Sequence, residues 1–321
     1  MTAAVTVDVA GGPMGGAARF RDELYRYLER SARKDVQVIG ADRRLDASWL
    51  LRREVARAGR ERVVALNNVG FVAPGGARWT LLRNALHFLA GDEAPRLDRR
   101  TRVANRRKAA VVHLAARRSD VLVAPCTAMA ERVTLVLPSV RSRVVVRMHP
   151  VSANSIPTLP RDPAILCPVM LRAYRHMVAR IIELLAAIDE CGDRSVRLRV
   201  TASPSEVPAD VARHPRIELL GQLDLADLRH VWARSSAIYF PTSLESFGYP
   251  LAEARASGHP VIALETSQNW EIAGPALCAF TRGDPASLRR ATVAALTAEI
   301  APDPEPFDPD AYFGWMFGLP R

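Results

Sequence analysis

The stretch AIYFPTSLESFGYPLAEARASGHPVIAL, residues 237–264, decides the fold. Its two ends, Ala237 to Phe240 and Val261 to Leu264, are short apolar runs typical of buried strands. Between them lies a tight loop, followed by a helix that we expect to begin near Pro250, because proline suits the first helical turn. A strand, a loop, a helix and a second strand in this order predict a parallel α/β unit.

The same alternation extends over most of the chain. In the amino-terminal half the predicted strands are Val5–Val9, Val36–Ile39, Val63–Leu66, Val121–Ala124 and Val144–Val146, and the predicted helices are Ala17–Leu28, Trp79–Leu89 and Ala104–Ala115. In the carboxyl-terminal half the strands are Ile165–Leu166, Val196–Val200, Ile217–Leu220, Ala237–Phe240 and Val261–Leu264, and the helices are Ala173–Ala187, Leu225–Ala233, Pro250–Ala256 and Ala286–Ala298.

A proline-rich segment from His149 to Pro163 separates the two halves and reads as a linker. We therefore predict an amino-terminal domain at residues 1–152 and a carboxyl-terminal domain at residues 163–300. The tail, residues 301–321, carries four aromatic residues between Tyr312 and Phe317, and we expect it to pack back onto the body. A length of 321 residues and an apolar fraction of 49% suit two cores.

Several classes of protein are disfavoured by composition. No apolar run reaches the roughly 18 residues that span a bilayer, and the start does not read as a signal peptide. The four cysteines form neither a CxxC pair nor a zinc-finger pattern, so we interpret them as thiols in a reducing compartment. These observations predict a cytoplasmic protein.

The net charge of +10 is concentrated in the segment from Arg96 to Arg118, which holds nine Arg or Lys residues and one acid, Asp98. A solvated helix face, a peripheral contact with the inner face of a membrane or an anionic acceptor, and nucleic-acid binding all fit such a run. Nucleic acid is disfavoured because no helix-turn-helix, zinc-finger or RNP pattern is present, and aromatic residues make up only 6%.

Two carboxylates flank the predicted loop and helix in residues 237–264. Glu245 falls in the loop, and Glu253 follows eight residues later, in the predicted first helical turn. The backbone N–H groups from Ser246 to Tyr249 can face an anion, and Gly248 permits close approach of a ligand. The pair can bracket a nucleotide sugar, one carboxylate accepting from the sugar hydroxyls and the other from the ribose. Alternatively, Glu253 only complements the helix dipole and Glu245 is simply exposed.

The block from Glu245 to Ala263 resembles the E-x7-E signature of retaining family-four glycosyltransferases. That family has the GT-B architecture, two Rossmann-like doubly wound domains that face each other across a cleft. The resemblance covers most of residues 5–290. It includes five further segments, Asn67–Phe71, Leu81–Leu89, Asp120–Arg132, His149–Ser152 and Asn269–Gly274.

The resemblance implies that Glu245 contacts the donor sugar and Glu253 the ribose. It also implies that the backbone of Ser246, Phe247 and Gly248 meets the diphosphate or the sugar.

Two arginines stand where the family binds the diphosphate. Arg175 takes the place of the usual lysine, as the second candidate catalytic residue beside Glu245. Arg172 is the stand-in for a Gly-Arg pair that this sequence lacks, having Cys167-Pro168-Val169 there instead. An arginine binds phosphate through a planar fork and is not a neutral replacement for lysine.

Further candidates lie in the amino-terminal half. The resemblance implies that Gly15 and Gly16 face the donor phosphates and the acceptor; from the residues alone, the glycine loop is equally compatible with a plain strand-to-helix turn. Asn68, after the third strand, is a candidate acceptor contact. His87, His113, His149 and His176 are interpreted as structural.

The function predicted is transfer of a hexose-like sugar from a nucleoside diphosphate to an acceptor hydroxyl of a glycan or a natural product. The resemblance implies retention without a protein nucleophile, the leaving diphosphate taking the acceptor proton. No Asp-x-Asp stands in the block from Glu245 to Ala263, so no metal and no cofactor besides the co-substrate is expected. UDP, GDP and dTDP sugars all fit, and the oligomeric state is left open. The alternatives are a sugar-nucleotide epimerase or phosphorylase, and a donor-binding scaffold without turnover.

Overall fold

A computed structural model describes residues 4–12, 15–56, 59–89, 99–153, 156–169 and 177–318. The chain divides into two compact units. The first comprises the described residues within Met1–Pro150, Leu244–Phe247 and Asp308–Arg321, and the second those within Val151–Ser243 and Gly248–Phe307. A short piece of the 237–264 stretch and the end of the chain therefore belong to the first unit.

The first unit is built on a six-stranded parallel sheet. Its strands are β1 (Val5–Asp8), β2 (Val36–Ile39), β3 (Arg62–Ala65), β4 (Ala77–Leu81), β5 (Val121–Ala124) and β6 (Val144–Val146). Its helices between β1 and β6 are α1 (Gly16–Ser31), α2 (Ala47–Ala56), α3 (Arg99–Arg118) and α4 (Thr127–Val136), with 3₁₀ helices at Ala85–Phe88 and Pro138–Arg143. The strand order is β2-β1-β3-β4-β5-β6, so the order reverses between β1 and β3.

Burial on both faces explains the composition of the central strands of this sheet, such as β1 and β3. All four residues of β1 are buried, and Val7 lies opposite Val38 on one side and Val64 on the other. Parallel strands covered on both faces read as continuous apolar runs, which is why most of them could be located in the sequence.

The helix predicted at Trp79–Leu89 is wrong. Its first residues form β4, which pairs with β3 and β5, and only Ala85–Phe88 makes a short 3₁₀ helix. Short apolar runs do not separate helix from strand by spacing alone, and here the hydrogen bonds to two neighbouring strands decide the outcome.

The second unit is also a six-stranded parallel sheet. Its strands are β7 (Asp162–Cys167), β8 (Arg197–Val200), β9 (Ile217–Leu219), β10 (Ser235–Phe240), β11 (Val261–Leu264) and β12 (Leu277–Phe280). Its helices are α5 (Met177–Glu190), α6 (Ala209–Ala212), α7 (Leu225–Ala233), α8 (Tyr249–Ser257), α9 (Ser267–Ala273) and α10 (Pro285–Thr297), with 3₁₀ helices at Pro204–Glu206, Gly274–Ala276 and Glu305–Phe307.

The strand order of the second unit, β12-β11-β10-β7-β8-β9, is that of a dinucleotide-binding Rossmann sheet. Its order reverses between β7 and β10. In open sheets of this kind ligands bind outside the carboxyl ends of the strands at such a switch point. The predicted α/β class with two doubly wound parallel sheets is confirmed.

The last helix, α11 (Pro309–Phe317), packs against α1 in the first unit. The Phe313 ring lies 5.1 Å from that of Tyr27 and 5.6 Å from that of Phe20. The guanidinium of Arg62 donates a 2.5 Å hydrogen bond to the carbonyl of Met316. The C-terminal aromatic residues thus lie in the core of the first unit.

In the part of the chain that the structure describes, no helix combines the length and the apolar character needed to cross a membrane.

Candidate functional site

The start of α8 in the second unit has the features of an anion-binding site. Gly248 caps the helix with a φ of 90°, a conformation that side chains rarely adopt. A Cβ atom there would lie 3.1 Å from the Cδ1 of Leu251 and 3.2 Å from the Cζ of Phe240. No side chain caps this end, and Pro250 lies in the first turn. The helix therefore begins with a closely packed glycine beside the switch point. Its amino terminus, the positive end of the helix dipole, follows the carboxyl end of β10.

Glu253 lies in the second turn of α8, not in its first turn as predicted. Only 6% of the residue is exposed. A carboxylate placed to complement the helix dipole at the surface would be solvated, whereas a buried one needs polar partners. Burial therefore favours a binding role for Glu253 over the dipole alone.

The loop before α8 folds back on itself at Glu245. The backbone N–H of Ser246 donates to the Oε1 of Glu245 at 3.0 Å, and the Ser246 hydroxyl lies 3.5 Å from the same atom. Glu245 is half-buried rather than fully exposed. Burial raises the pKa of the Glu245 carboxyl above its usual value, and the hydrogen bonds from Ser246 oppose that rise.

The rest of the loop is fixed within the first unit. The Ser246 hydroxyl donates to the backbone carbonyl of Arg83 at 2.8 Å, and the Cys126 thiol donates to the Ser246 carbonyl at 3.3 Å. The Phe247 ring packs edge-on against His149 at 5.0 Å. The predicted donor contacts Ser246 and Phe247 thus have their polar and aromatic groups engaged within the protein.

Both arginines expected at the diphosphate, Arg172 and Arg175, lie outside the described residues. The chain just before them is anchored at the carboxyl end of β7. The Thr201 hydroxyl accepts from the N–H of Val169 and lies 2.8 Å from the Val169 carbonyl. Thr201 itself follows β8 and was not singled out in the sequence.

Gly15 and Gly16 begin α1 in the first unit. Gly15 is the N-cap residue with a φ of 62°, and Gly16 is the first helical residue. No side chain caps this end, and the first turn holds no acidic residue. α1 follows β1, one of the two strands at the switch point of this sheet, so its amino terminus has the position of a phosphate-binding turn.

A buried ion pair lies at the same switch point. Asp8, the last residue of β1, accepts from Arg53 at 2.5 Å, from Asn67 at 2.8 Å and from the Trp49 indole at 3.0 Å. Arg53 also donates to the backbone carbonyl of Val69 at 2.7 Å. Sequence reasoning missed this network, which ties α2 to the ends of β1 and β3.

Asn68, the predicted acceptor contact, has a φ of 68°. Its side-chain oxygen accepts a 2.5 Å hydrogen bond from the N–H of Arg83. Asparagine tolerates this left-handed conformation better than most residues. Through the hydrogen bond to Arg83, its side chain stabilises the turn that leaves β4. Its contact with an acceptor stays a prediction.

Two histidines of the first unit, His87 and His149, are packed inside the protein. Burial, with the charges of His113 and Lys108, lowers the pKa of His87 to about 4. His149 is fully buried, and burial together with the charge of Arg83 holds its pKa well below the usual value. A base would need a pKa nearer neutrality, so neither residue is poised for that role. His176 lies outside the described residues.

All four cysteines are free thiols. Burial raises the pKa of Cys167 and raises that of Cys278 to about 11. Among the residues with described positions, no group of three or more His, Cys, Asp or Glu side chains is arranged to hold a metal ion.

Comparison with protein families gives one match. Residues 163–298, which hold the Rossmann sheet and both α8 and Glu253, match the model described as glycosyl transferases group 1. No curated protein is significantly similar to the sequence.

The fold is shared with several solved structures. WaaG, a glycosyltransferase involved in lipopolysaccharide biosynthesis, is similar over 92% of this chain and 90% of its own, with a TM-score of 0.65 and 15% identity. Alr3699/HepE of Anabaena, solved in complex with UDP, is similar over 98% of both chains, with a TM-score of 0.64 and 14% identity. A putative UDP-N-acetylglucosamine 2-epimerase from Listeria monocytogenes covers 97% of this chain and 91% of its own, with a TM-score of 0.59 and 14% identity.

The solved structures confirm the predicted GT-B fold class, and the family match over residues 163–298 supports the prediction of a glycosyltransferase. The roles of the individual site residues stay predictions.

Proposed function

We propose that this chain transfers a sugar from a nucleoside diphosphate to an acceptor hydroxyl, with retention of the anomeric configuration. The acceptor class is a glycan or a natural product, and no metal takes part. The observation that carries the proposal is a combination in the second unit: a Rossmann switch point, a glycine-capped helix start at Gly248 and the buried carboxylate of Glu253 on that helix.

The donor roles follow from the chemistry of these groups. A diphosphate placed before α8 gains from the helix dipole and from backbone N–H groups that no side chain caps. Glu253, five residues after the glycine cap, accepts hydrogen bonds from the ribose hydroxyls. Arg172 and Arg175 neutralise the diphosphate.

Glu245 is assigned to the donor sugar. Its carboxyl already holds the N–H of Ser246, which fixes its orientation before any substrate arrives. A preoriented acceptor group costs no reorganisation on binding.

Retention is proposed to proceed without a protein nucleophile. The bond from the anomeric carbon to the diphosphate breaks, and the acceptor oxygen bonds to the same face of the sugar. The acceptor proton passes to the leaving diphosphate. The charge that develops on the diphosphate is stabilised by Arg175 and by the start of α8.

The first test is a thermal-shift panel of UDP, GDP, dTDP and ADP, each with common sugars attached. A donor present at 100 times its dissociation constant adds roughly 2.7 kcal/mol to stability, which gives a measurable shift. We expect a shift with one nucleotide family. No shift with any of them would favour a scaffold that has lost its donor site.

The second test is the fate of the bound donor. With an acceptor library present we expect an acceptor-dependent product whose anomeric configuration, read by NMR, equals that of the donor. An epimerised nucleotide sugar formed without acceptor would instead indicate an epimerase. Phosphate-dependent cleavage of a glycoside would indicate a phosphorylase. An inverted product would contradict retention alone.

A further inference from the structure

One face of α3 exposes apolar side chains that the core does not use. Val103, Val111 and Leu114 are 50%, 47% and 56% exposed. At 3.6 residues per turn these three positions fall within roughly 80° of one another around the helix axis. They form one stripe along a helix of 20 residues.

The stripe is bordered by cations. Arg106, Arg107 and Lys108 lie exposed near its middle, and Arg117 and Arg118 near its end. The whole helix contains no Asp or Glu. We call the eight residues together the α3 surface: Val103, Arg106, Arg107, Lys108, Val111, Leu114, Arg117 and Arg118.

The opposite face of α3 supplies the packing of this helix. Val112 and Ala116 are fully buried. The His113 ring lies 5.2 Å from that of Phe88, and its Nε2 is 2.7 Å from the carbonyl of His87. The helix is thus anchored in the first unit from its inner side, and the α3 surface is left for another partner.

We propose that the α3 surface binds an anionic lipid bilayer, with the helix lying parallel to the membrane plane. A helix with basic residues beside an apolar stripe can insert the stripe at the headgroup boundary while its cations meet the lipid phosphates. Nucleic acid would engage only the cations, because the aromatic ring of α3, that of His113, packs inward against Phe88 and the α3 surface offers none on which a base could stack. The three exposed apolar side chains therefore favour the bilayer.

The strength expected is that of a peripheral contact. Each Lys or Arg near an anionic surface improves binding about fivefold, and the attraction falls off within a Debye length. Binding should therefore depend on the fraction of anionic lipid and weaken as salt is raised. Membrane binding does not depend on the donor or on turnover, so its test is independent of the test of the proposed function.

The experiment is co-sedimentation of the full chain with vesicles of phosphatidylcholine alone, and with vesicles that contain about one third phosphatidylglycerol. We expect binding to the anionic vesicles only. Arg106→Glu with Arg107→Glu should reduce binding at least tenfold, and Val111→Ser with Leu114→Ser, which leaves the charge of the helix unchanged, should reduce it several-fold.

The control variant is Leu51→Asp with Arg52→Glu on α2, where Leu51 is 75% exposed and Arg52 is also exposed. This pair changes the same kinds of side chain elsewhere on the first unit and should bind vesicles like the wild type. Each variant is first checked for an unchanged melting temperature. Equal loss in the control and the α3 variants would overturn the proposal, as would binding of the wild type to RNA but not to anionic vesicles.

Discussion

Ser246 and Arg83 are 163 residues apart in sequence, yet the Ser246 hydroxyl donates a 2.8 Å hydrogen bond to the Arg83 backbone carbonyl. The bond joins the loop that carries Glu245 to the turn that leaves β4. Asn68 holds the other side of that turn through the Arg83 N–H. The position of Glu245 is thus determined by the first unit, although the chain up to Ser243 and from Gly248 onward belongs to the second.

Replacing Ser246 by alanine should destabilise the protein, because the part-buried carbonyl of Arg83 then loses its donor. The expected cost is about 1–3 kcal/mol. Calorimetric melting of Ser246→Ala measures it, with Ser243→Ala as the control, since Ser243 is exposed in the same loop. Equal melting temperatures for the two variants would show that the bond to Arg83 contributes nothing to stability.

Replacing Arg53 by methionine should cost about 3–5 kcal/mol, because it leaves the buried Asp8 carboxylate without its cation. Arg52→Met is the matched control, since Arg52 is exposed on the same helix. Adding Asp8→Asn to Arg53→Met should restore part of the loss by removing the charge. Equal melting temperatures for Arg53→Met and Arg52→Met would show that the ion pair does not fix α2 to the switch point.

Gly248→Ala should affect both stability and donor binding. The added Cβ meets a φ of 90° and two close carbons, those of Leu251 and Phe240. Gly283→Ala is a stringent control, because Gly283 also has a positive φ, 76°, with nothing within 4 Å of its Cβ position. We expect both variants to lose about 1–3 kcal/mol from backbone strain. Only Gly248→Ala should weaken nucleotide binding in a calorimetric titration; equal nucleotide affinities in the two variants would argue against a ligand at the start of α8.

Stability should fall as the pH is lowered from about 6.5 towards 4, because buried histidines stay neutral in the folded protein. Burial and the charge of Arg161 lower the pKa of His259 to about 4. Above its unfolded pKa, His259 binds no proton in either state and its contribution to stability is complete. Below its unfolded pKa, His259 is protonated in the unfolded chain but stays neutral in the folded chain until about pH 4. The free energy of unfolding therefore falls between these two pH values.

The measurement is the melting temperature of the wild type and of His259→Gln between pH 7.5 and 4. The variant should start lower, because it loses the 2.9 Å contact between the His259 ring and the Ser257 hydroxyl. Its stability should then fall less steeply with acid. Parallel curves for the two proteins would exclude His259 as a source of the acid sensitivity.

Much of the fold could be predicted from short-range patterns. β5, β11 and α7 lie at the predicted bounds, because a buried strand is a continuous apolar run and a surface helix has a repeating apolar face. β6 also lies at its predicted bounds, as a run of three valines, although Val145 and Val146 are exposed. β4 could not be predicted, because its apolar spacing fits a helix equally well. Only its pairing with β3 and β5 makes this segment a strand. α2, α4, α9 and β12 were not predicted at all.

The candidate site was predictable only where its residues are close in sequence. Glu245, Gly248 and Glu253 were found because one loop and one helix hold them. The Asp8–Arg53 pair and the Ser246–Arg83 bond join residues 45 and 163 positions apart, and nothing local in the sequence indicates such partners. Glu253 was placed in the first turn because the helix start was set at Pro250, whereas α8 begins one residue earlier, at Tyr249, and Glu253 is its fifth residue.

The most direct test of the account is donor affinity in Glu253→Gln. The nucleotide that shifts the melting temperature is titrated by calorimetry into the wild type, Glu253→Gln and the control Glu265→Gln, whose side chain is exposed in the same unit. Loss of a charged hydrogen-bond acceptor predicts an affinity roughly ten- to a hundredfold lower for Glu253→Gln alone. Its melting temperature without ligand should stay close to that of the wild type. Unchanged donor affinity in a folded Glu253→Gln variant would contradict the claim that α8 of the second unit binds the nucleotide sugar.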